Sequence, residues 1–229
     1  MKKLVIIPAY NEEGNIIKTV TDIKKNAPDF DYVIINDCST DTTLEICREH
    51  GFHVIDLPVN MGIGGGVQTG YLYALRNGYD IAVQFDGDGQ HNARYLNEMA
   101  QVLEQEKLDM VIGSRYIQRK GFQSSGIRRV GIRYFTALIK IVTGNRITDP
   151  TSGMRMVNRE VIAQFAKQYP KDYPEPESVV TLLKRKKRVK EVPVEMNARE
   201  EGISSISAVN AVYYMIKVSL AIFFAVVRK

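Results

Sequence analysis

The 229-residue sequence contains no Trp and only two cysteines, Cys38 and Cys47. Two thiols without His or Cys partners at metal-ligand spacing exclude a disulfide scaffold and a Cys/His zinc site. They read as free thiols of a reducing compartment. A secretory leader is also not expected from the opening residues. Met1-Lys2-Lys3 is followed by only four apolar residues before Pro8, too few for an h-region, so the expected location is the cytoplasmic side. The first half shows no internal repeat, low-complexity tract or linker. The composition that remains, 45% hydrophobic and 25% charged, supports one domain, or one domain with a small extension, around a sizeable core. The net charge of +5 points to an anionic partner: nucleotide, lipid phosphate, membrane surface or nucleic acid.

Short apolar runs alternate with helical spacing. Leu4–Ile7, Tyr32–Asn36, His53–Leu57, Ile81–Phe85 and Met110–Gly113 read as strands, and fully apolar runs such as Leu4–Ile7 fit central parallel strands. Between them, Glu12–Asn26, the stretch through Leu44 and Cys47, the stretch through Leu72 and Leu75, and Tyr95–Glu106 read as helices. This alternation predicts a doubly wound, mostly parallel α/β sheet, whose ligands sit at the carboxyl ends of the strands. Later, Met154–Val157 follows the turn Asp149–Gly153, Val189–Met196 reads as a last edge strand, and Ser207–Val227 as one long apolar helix. The expected division is a catalytic domain over 1–206 and a membrane- or subunit-contacting helix over 207–229.

The polar clusters fall at predicted strand ends: Pro8-Ala9-Tyr10-Asn11-Glu12, Asn36 to Asp41, Asp86-Gly87-Asp88-Gly89-Gln90-His91, and Ser114-Arg115. Asp86 and Asp88, one residue apart and each followed by Gly, would repel unless a cation lay between them. A hard divalent ion such as Mg²⁺ or Mn²⁺ takes oxygen ligands and accepts phosphate oxygens in the rest of its shell. The pattern reads as a metal clamp for a diphosphate, although Asp-Gly also makes plain turns. Residues 115–133 carry Arg115, Arg119, Lys120, Arg128, Arg129 and Arg133, donors that match phosphate geometry.

These motifs, with Asn60-Met61-Gly62, Gly113-Ser114-Arg115, Asp149-Pro150-Thr151-Ser152-Gly153-Met154-Arg155 and Tyr173-Pro174-Glu175-Pro176-Glu177 in order, resemble family 2 glycosyltransferases of the GT-A fold. The similar branch is that of dolichyl-phosphate mannose synthase and bacterial polyprenyl-phosphate sugar transferases. The resemblance implies that Pro8, Ala9, Tyr10, Glu12 and Gly62 line a nucleotide pocket, with Asp37 accepting a hydrogen bond from the base. It implies that Asp86, Gly87 and Asp88 hold the donor diphosphate through Mg²⁺ or Mn²⁺, with Gln90 a third metal ligand. Arg115, Arg128, Arg129, Ser152, Arg199 and Ser205 would meet the acceptor phosphate. Arg155 would lie near the same phosphates, and Glu177 would join the catalytic group. Where many relatives have Lys after Gly-x-Ser, this chain has Gly202-Ile203-Ser204-Ser205-Ile206, so a cationic contact is absent or supplied by Arg199. The implied activity is inverting transfer of glucose or N-acetylglucosamine from a UDP-sugar to polyprenyl (undecaprenyl) phosphate at the cytoplasmic membrane face. GDP-mannose is the alternative donor.

Other readings stay beside this one. A saccharide acceptor would need a base, from Asp149, Glu175 or Glu177, and a non-catalytic nucleotide-sugar-binding subunit is a third possibility. Gly62-Ile63-Gly64-Gly65-Gly66 lacks a third fingerprint Gly, since Val67 stands there, so it reads as a turn opening a helix. His91 is a ligand or a surface turn residue. Lys184-Arg185-Lys186-Lys187-Arg188 is a solvated helix end or an attraction to anionic lipid. The basic stretches lack the interleaved aromatics of a nucleic-acid binder. Ala208–Val227 has spanning length but carries Lys217 near its middle. It therefore fits an in-plane helix, or one packing on an integral-membrane partner or a second copy, better than a lone span.

Overall fold

The computed structural model describes residues 1–118, 126–197 and 208–227; the side chains of 126–128, 208–214 and 225–227 lie outside that description. Seven strands form one sheet: β1 (Lys3–Ala9), β2 (Asp31–Asn36), β3 (Val54–Asp56), β4 (Ile81–Gln84), β5 (Met110–Ser114), β6 (Arg155–Asn158) and β7 (Val189–Pro193). Their order across the sheet is β3-β2-β1-β4-β6-β5-β7. All pairings are parallel except those of β6, which runs antiparallel to both β4 and β5.

β1 shows why an unbroken apolar run marks the centre of the sheet. Leu4 and Ile6 belong to the core on one face, Val5 and Ile7 to the core on the other, and all four are fully buried. Helices α1 (Ile16–Asn26), α2 (Thr43–Glu49) and α4 (Leu96–Gln105) are on the Val5/Ile7 side. On the opposite side are α3 (Gly62–Arg76), α5 (Gly126–Thr143), α6 (Arg159–Lys167), α7 (Pro174–Lys184) and α8 (Ala208–Val227). In α1, Ile16, Val20 and Ile23 are buried at helical spacing, a stripe facing the sheet. α8 joins the same core through Val218 and Ile222, each contributing about 1.5–3 kcal/mol of burial.

Most boundaries shift by a residue or two from the sequence expectation, and two shift further. The first helix begins at Ile16, not Glu12, because Asn11 adopts a left-handed backbone (φ 56°) and its neighbours are spent on a loop at the strand end. The last strand ends at Pro193, not Met196, because its partner β5 ends at Ser114, whose carbonyl takes the Val194 N–H as the final bond between them.

Candidate active site

The loops after β1 and β2 are locked together. Asn11 N–H donates to Ser39 Oγ at 3.0 Å, Thr40 N–H donates to Asn11 Oδ1 at 2.8 Å, and Glu12 N–H donates to Thr43 Oγ1 at 2.8 Å. Beyond β2, Asp37 is buried and its Oδ1 accepts the Met61 N–H at 2.6 Å, tying the start of α3 to the same edge. The resulting cleft, about 430 Å³, takes Pro8, Ala9, Tyr10 and Glu12 from the first loop. Asp37 and Gly62 form another wall, and Asp86, Gly87 and Asp88 close it from the end of β4. The residues expected at a nucleotide and its diphosphate thus share one cleft.

The acidic turn is shaped by four features. Asp88 Oδ1 accepts the Gln90 N–H at 3.1 Å, an Asx turn completed by Gly89 at φ +73°. Asp86 N–H donates to His91 Nδ1 at 2.9 Å. His91 is therefore protonated on Nε2, which lies 3.7 Å from Asp86 Oδ2. This histidine is buried, so it is neither a surface turn residue nor free at Nδ1 to bind an ion; it fixes the turn. Gln84, fully buried at the end of β4, donates from Nε2 to Asp86 Oδ1 at 3.0 Å and accepts from Tyr169 Oη at 3.4 Å. Gly153 packs so closely against the Asp86 carboxylate that a Cβ there would meet it inside contact distance.

Among the described residues no three His, Cys, Asp or Glu side chains converge as a metal-binding group. Asp86 and Asp88 on one cleft fit a hard cation whose remaining ligands are diphosphate oxygens and water. Gln90 meets the turn through its backbone, donating to Asp88 and accepting from Asn197 N–H at 2.8 Å.

Arg115 follows β5, and its side chain is only 12% exposed. Nε and Nη2 donate to Asp149 Oδ2 and Oδ1 at 2.7 and 2.8 Å, and Nη2 reaches Thr151 Oγ1 at 3.2 Å. Burial opposes its charge, but the hydrogen bonds and charge of Asp149 outweigh that, and the field of Asp86 adds to them; the guanidinium pKa is raised. Asp149, fully buried and committed to this fork, is not available as a base.

Two expected phosphate contacts are placed elsewhere. Arg155 is completely buried, and its guanidinium donates to Ser152 O at 2.7 Å, Pro150 O at 2.7 Å, Ser178 Oγ at 2.9 Å and Glu175 O. It staples the 149–153 turn to the start of α7, with its guanidinium committed to these protein groups. Ser152 is likewise buried and donates its hydroxyl to Gly113 O at 2.6 Å. Arg129 is exposed at the start of α5, and Glu177 is half-buried on α7. Arg199, Ser205 and the side chain of Arg128 lie outside the described residues. Glu175 turns its carboxyl inward; burial raises its pKa, Arg155 opposes the rise and Asp86 adds to it.

Sequence reasoning missed Gln84, Gly153 and Glu191. Glu191 on β7 accepts the N–H groups of Thr148 and Asp149 at 2.7 and 2.8 Å. The available signals were a polar residue ending an apolar strand and an acid inside an edge strand.

The chain is 27% identical over 219 residues to undecaprenyl-phosphate mannosyltransferase of Micrococcus luteus, covering 90% of this chain and 88% of that protein. It is 29% identical over 210 residues to UDP-N-acetylglucosamine–dolichyl-phosphate N-acetylglucosaminyltransferase of Methanococcus voltae, covering 83% of each. Its fold is similar to that of glucosyl-3-phosphoglycerate synthase from Mycobacterium tuberculosis, solved with Mn²⁺, UDP-glucose and phosphoglyceric acid. That match has a TM-score of 0.76 at 18% identity, over 98% of this chain and 79% of the other. The sequence model of glycosyl transferase family 2 matches residues 4–165, and with the strand-end cleft and its paired acids this chain belongs to glycosyl transferase family 2.

Proposed function

We propose that this chain is an inverting, divalent-cation-dependent transferase that moves a sugar from a UDP-sugar to the phosphate of a polyprenyl phosphate at the cytoplasmic face of a membrane. One observation carries this reading: two acids on a nucleotide-sized cleft, with a pinned guanidinium whose charge is coupled to one of them. Asp86 and Asp88 suit a cation that bridges to a diphosphate. When bound, that ion would neutralise charge building on the leaving diphosphate. Asp37 would accept from the base, and Arg115 would hold the acceptor phosphate. A phosphate monoester is already ionised at neutral pH, so no residue need take its proton, which agrees with Asp149 being committed to Arg115. Attack from the side opposite the leaving group inverts the anomeric centre.

A membrane location is supported by the pair α5 and α8, joined where Tyr134 Oη and Ser219 Oγ lie 2.9 Å apart. Val130, Tyr134 and Ile141 form an exposed stripe on α5, and Ile216, Leu220, Phe223 and Phe224 form one on α8. Neither helix sequence contains Asp or Glu, while Arg129, Arg133, Lys140 and Lys217 supply positive charge. Lys217 lies 3.9 Å from Asp172 Oδ2, and an apolar surface flanked by mostly positive charge suits an anionic lipid interface. Among the described residues no helix is long and apolar enough to cross a membrane.

The donor sugar is proposed as glucose or N-acetylglucosamine, with GDP-mannose as the competing donor. The test is a panel of UDP-glucose, UDP-N-acetylglucosamine and GDP-mannose with Mn²⁺ or Mg²⁺ and a short polyprenyl phosphate. One donor should yield lipid-linked sugar, and Asp88→Ala should abolish it. Transfer to saccharides alone would overturn the lipid acceptor and favour Glu175, whose raised pKa beside Asp86 suits a base for a hydroxyl acceptor.

A further inference from the structure

We propose that Glu191 is a positioning residue that sets Arg115 for phosphate binding, acting through the backbone of Thr148 and Asp149. This rests on the reading of Arg115 as the acceptor-phosphate contact.

Glu191 is an unusual acceptor for two backbone amides. Glu191 lies on β7, opposite Ile112 of β5 in a parallel pairing. Its Oε2 accepts the Thr148 N–H at 2.7 Å and its Oε1 the Asp149 N–H at 2.8 Å. Two part-buried amides take acceptors here, but neutral groups would serve. A half-buried carboxylate close to the fully buried Asp149 is a costlier acceptor than a neutral group. What it adds is direction. Two oxygens gripping successive N–H groups fix both the position and the tilt of the Thr148–Asp149 peptide, and that peptide aims the Asp149 side chain.

Asp149 passes the constraint on. Besides the fork from Nε and Nη2, its Oδ2 accepts the Arg115 N–H at 3.1 Å, so both ends of the arginine are tied to one carboxylate. Thr148 is held from the other side, with its Oγ1 2.8 Å from Ser114 Oγ, which also accepts the Tyr116 N–H at 3.2 Å. The strand ends of β5 and β7 and the turn before β6 therefore converge on one guanidinium. An arginine left to choose among rotamers would lose entropy each time a phosphate bound; one already fixed does not.

The experiment is a double-mutant cycle on the full chain, with geranyl phosphate as the probe. Its affinity is measured by calorimetry in the presence of UDP and Mn²⁺ for wild type, Arg115→Ala, Glu191→Gln and the double variant. Arg115→Ala and Glu191→Gln should each weaken binding, the latter about tenfold, and Glu191→Gln should have no further effect once Arg115 is gone. The affinity for UDP with Mn²⁺ should hold throughout. Equal losses from Glu191→Gln in both backgrounds would make Glu191 a general structural residue and overturn the proposal. Unchanged binding in Arg115→Ala would instead remove the phosphate-contact reading itself. If Glu191→Gln does not fold, Glu191→Asp, which retains the charge but withdraws it from the two amides, completes the same cycle and is judged by the same outcomes.

Discussion

Gly153→Ala tests whether the cleft depends on the placement of Asp86. A Cβ on Gly153 would lie 3.1 Å from both Asp86 Cγ and Oδ1 and nearer still to Oδ2, whereas ordinary contact begins at 3.4 Å. The carboxylate must therefore withdraw by roughly 0.5–1 Å, against a hydrogen bond from Gln84 Nε2 at 3.0 Å. If it resists, overpacking costs about 1–3 kcal/mol of stability. If it yields, a misplacement near 1 Å costs about 10²-fold in rate, equivalent to about 2.7 kcal/mol of barrier. The assay is transfer rate and UDP affinity as functions of Mn²⁺ concentration, with a thermal melt in parallel. Gly131→Ala is the control, since a Cβ there meets nothing within 4 Å and a helical Gly-to-Ala change is neutral or stabilising by up to about 1 kcal/mol. Near-wild-type transfer by Gly153→Ala with an unchanged melt, or a loss of transfer with an unchanged Mn²⁺ profile, would refute the reasoning.

Three further outcomes are expected. Glu175 has a folded pKa above its unfolded value, so its favourable contribution is complete below the unfolded pKa, about 4.3, and fades as pH rises through the folded one. Glu175→Gln should thus match wild type near pH 4.5 and gain on it toward pH 8 in thermal melts; a gap that does not vary with pH would contradict this. Arg155→Lys, losing a fork that satisfies three carbonyls and Ser178 Oγ, should cost about 3 kcal/mol or more in urea unfolding. Lost turnover at unchanged stability would instead return Arg155 to direct substrate contact. Phe223→Glu with Phe224→Glu, at positions 58% and 63% exposed, should abolish flotation with phosphatidylglycerol vesicles while leaving the melting temperature in place.

Much of this architecture could be read in the sequence because its signals are local. The apolar run at Leu4–Ile7 announces a strand covered on both faces, and Asp-Gly-Asp-Gly after Gln84 announces a carboxylate-bearing turn. The direction of β6 was not legible, since periodicity carries no sign for which way a strand runs. Arg155 shows the same limit at the level of one side chain. Its motif identified an arginine near the site, but only the antiparallel pairing opposite Gln84 and Ile112 sends it under the floor. Glu191 was hidden because its partners are backbone amides more than 40 positions away in sequence, which no short motif encodes.

The reversed course of β6 has a further consequence. Because this strand enters the sheet from the edge where β5 finishes, the chain leaves the sheet after Ser114 and re-enters it at Arg155 on the same rim. Such a detour can be lengthened, shortened or exchanged without sliding any strand past another. On the proposed reading, the half of the sheet that would hold the donor and the rim that would border the acceptor are separate segments, so the second could change while the first stays as it is.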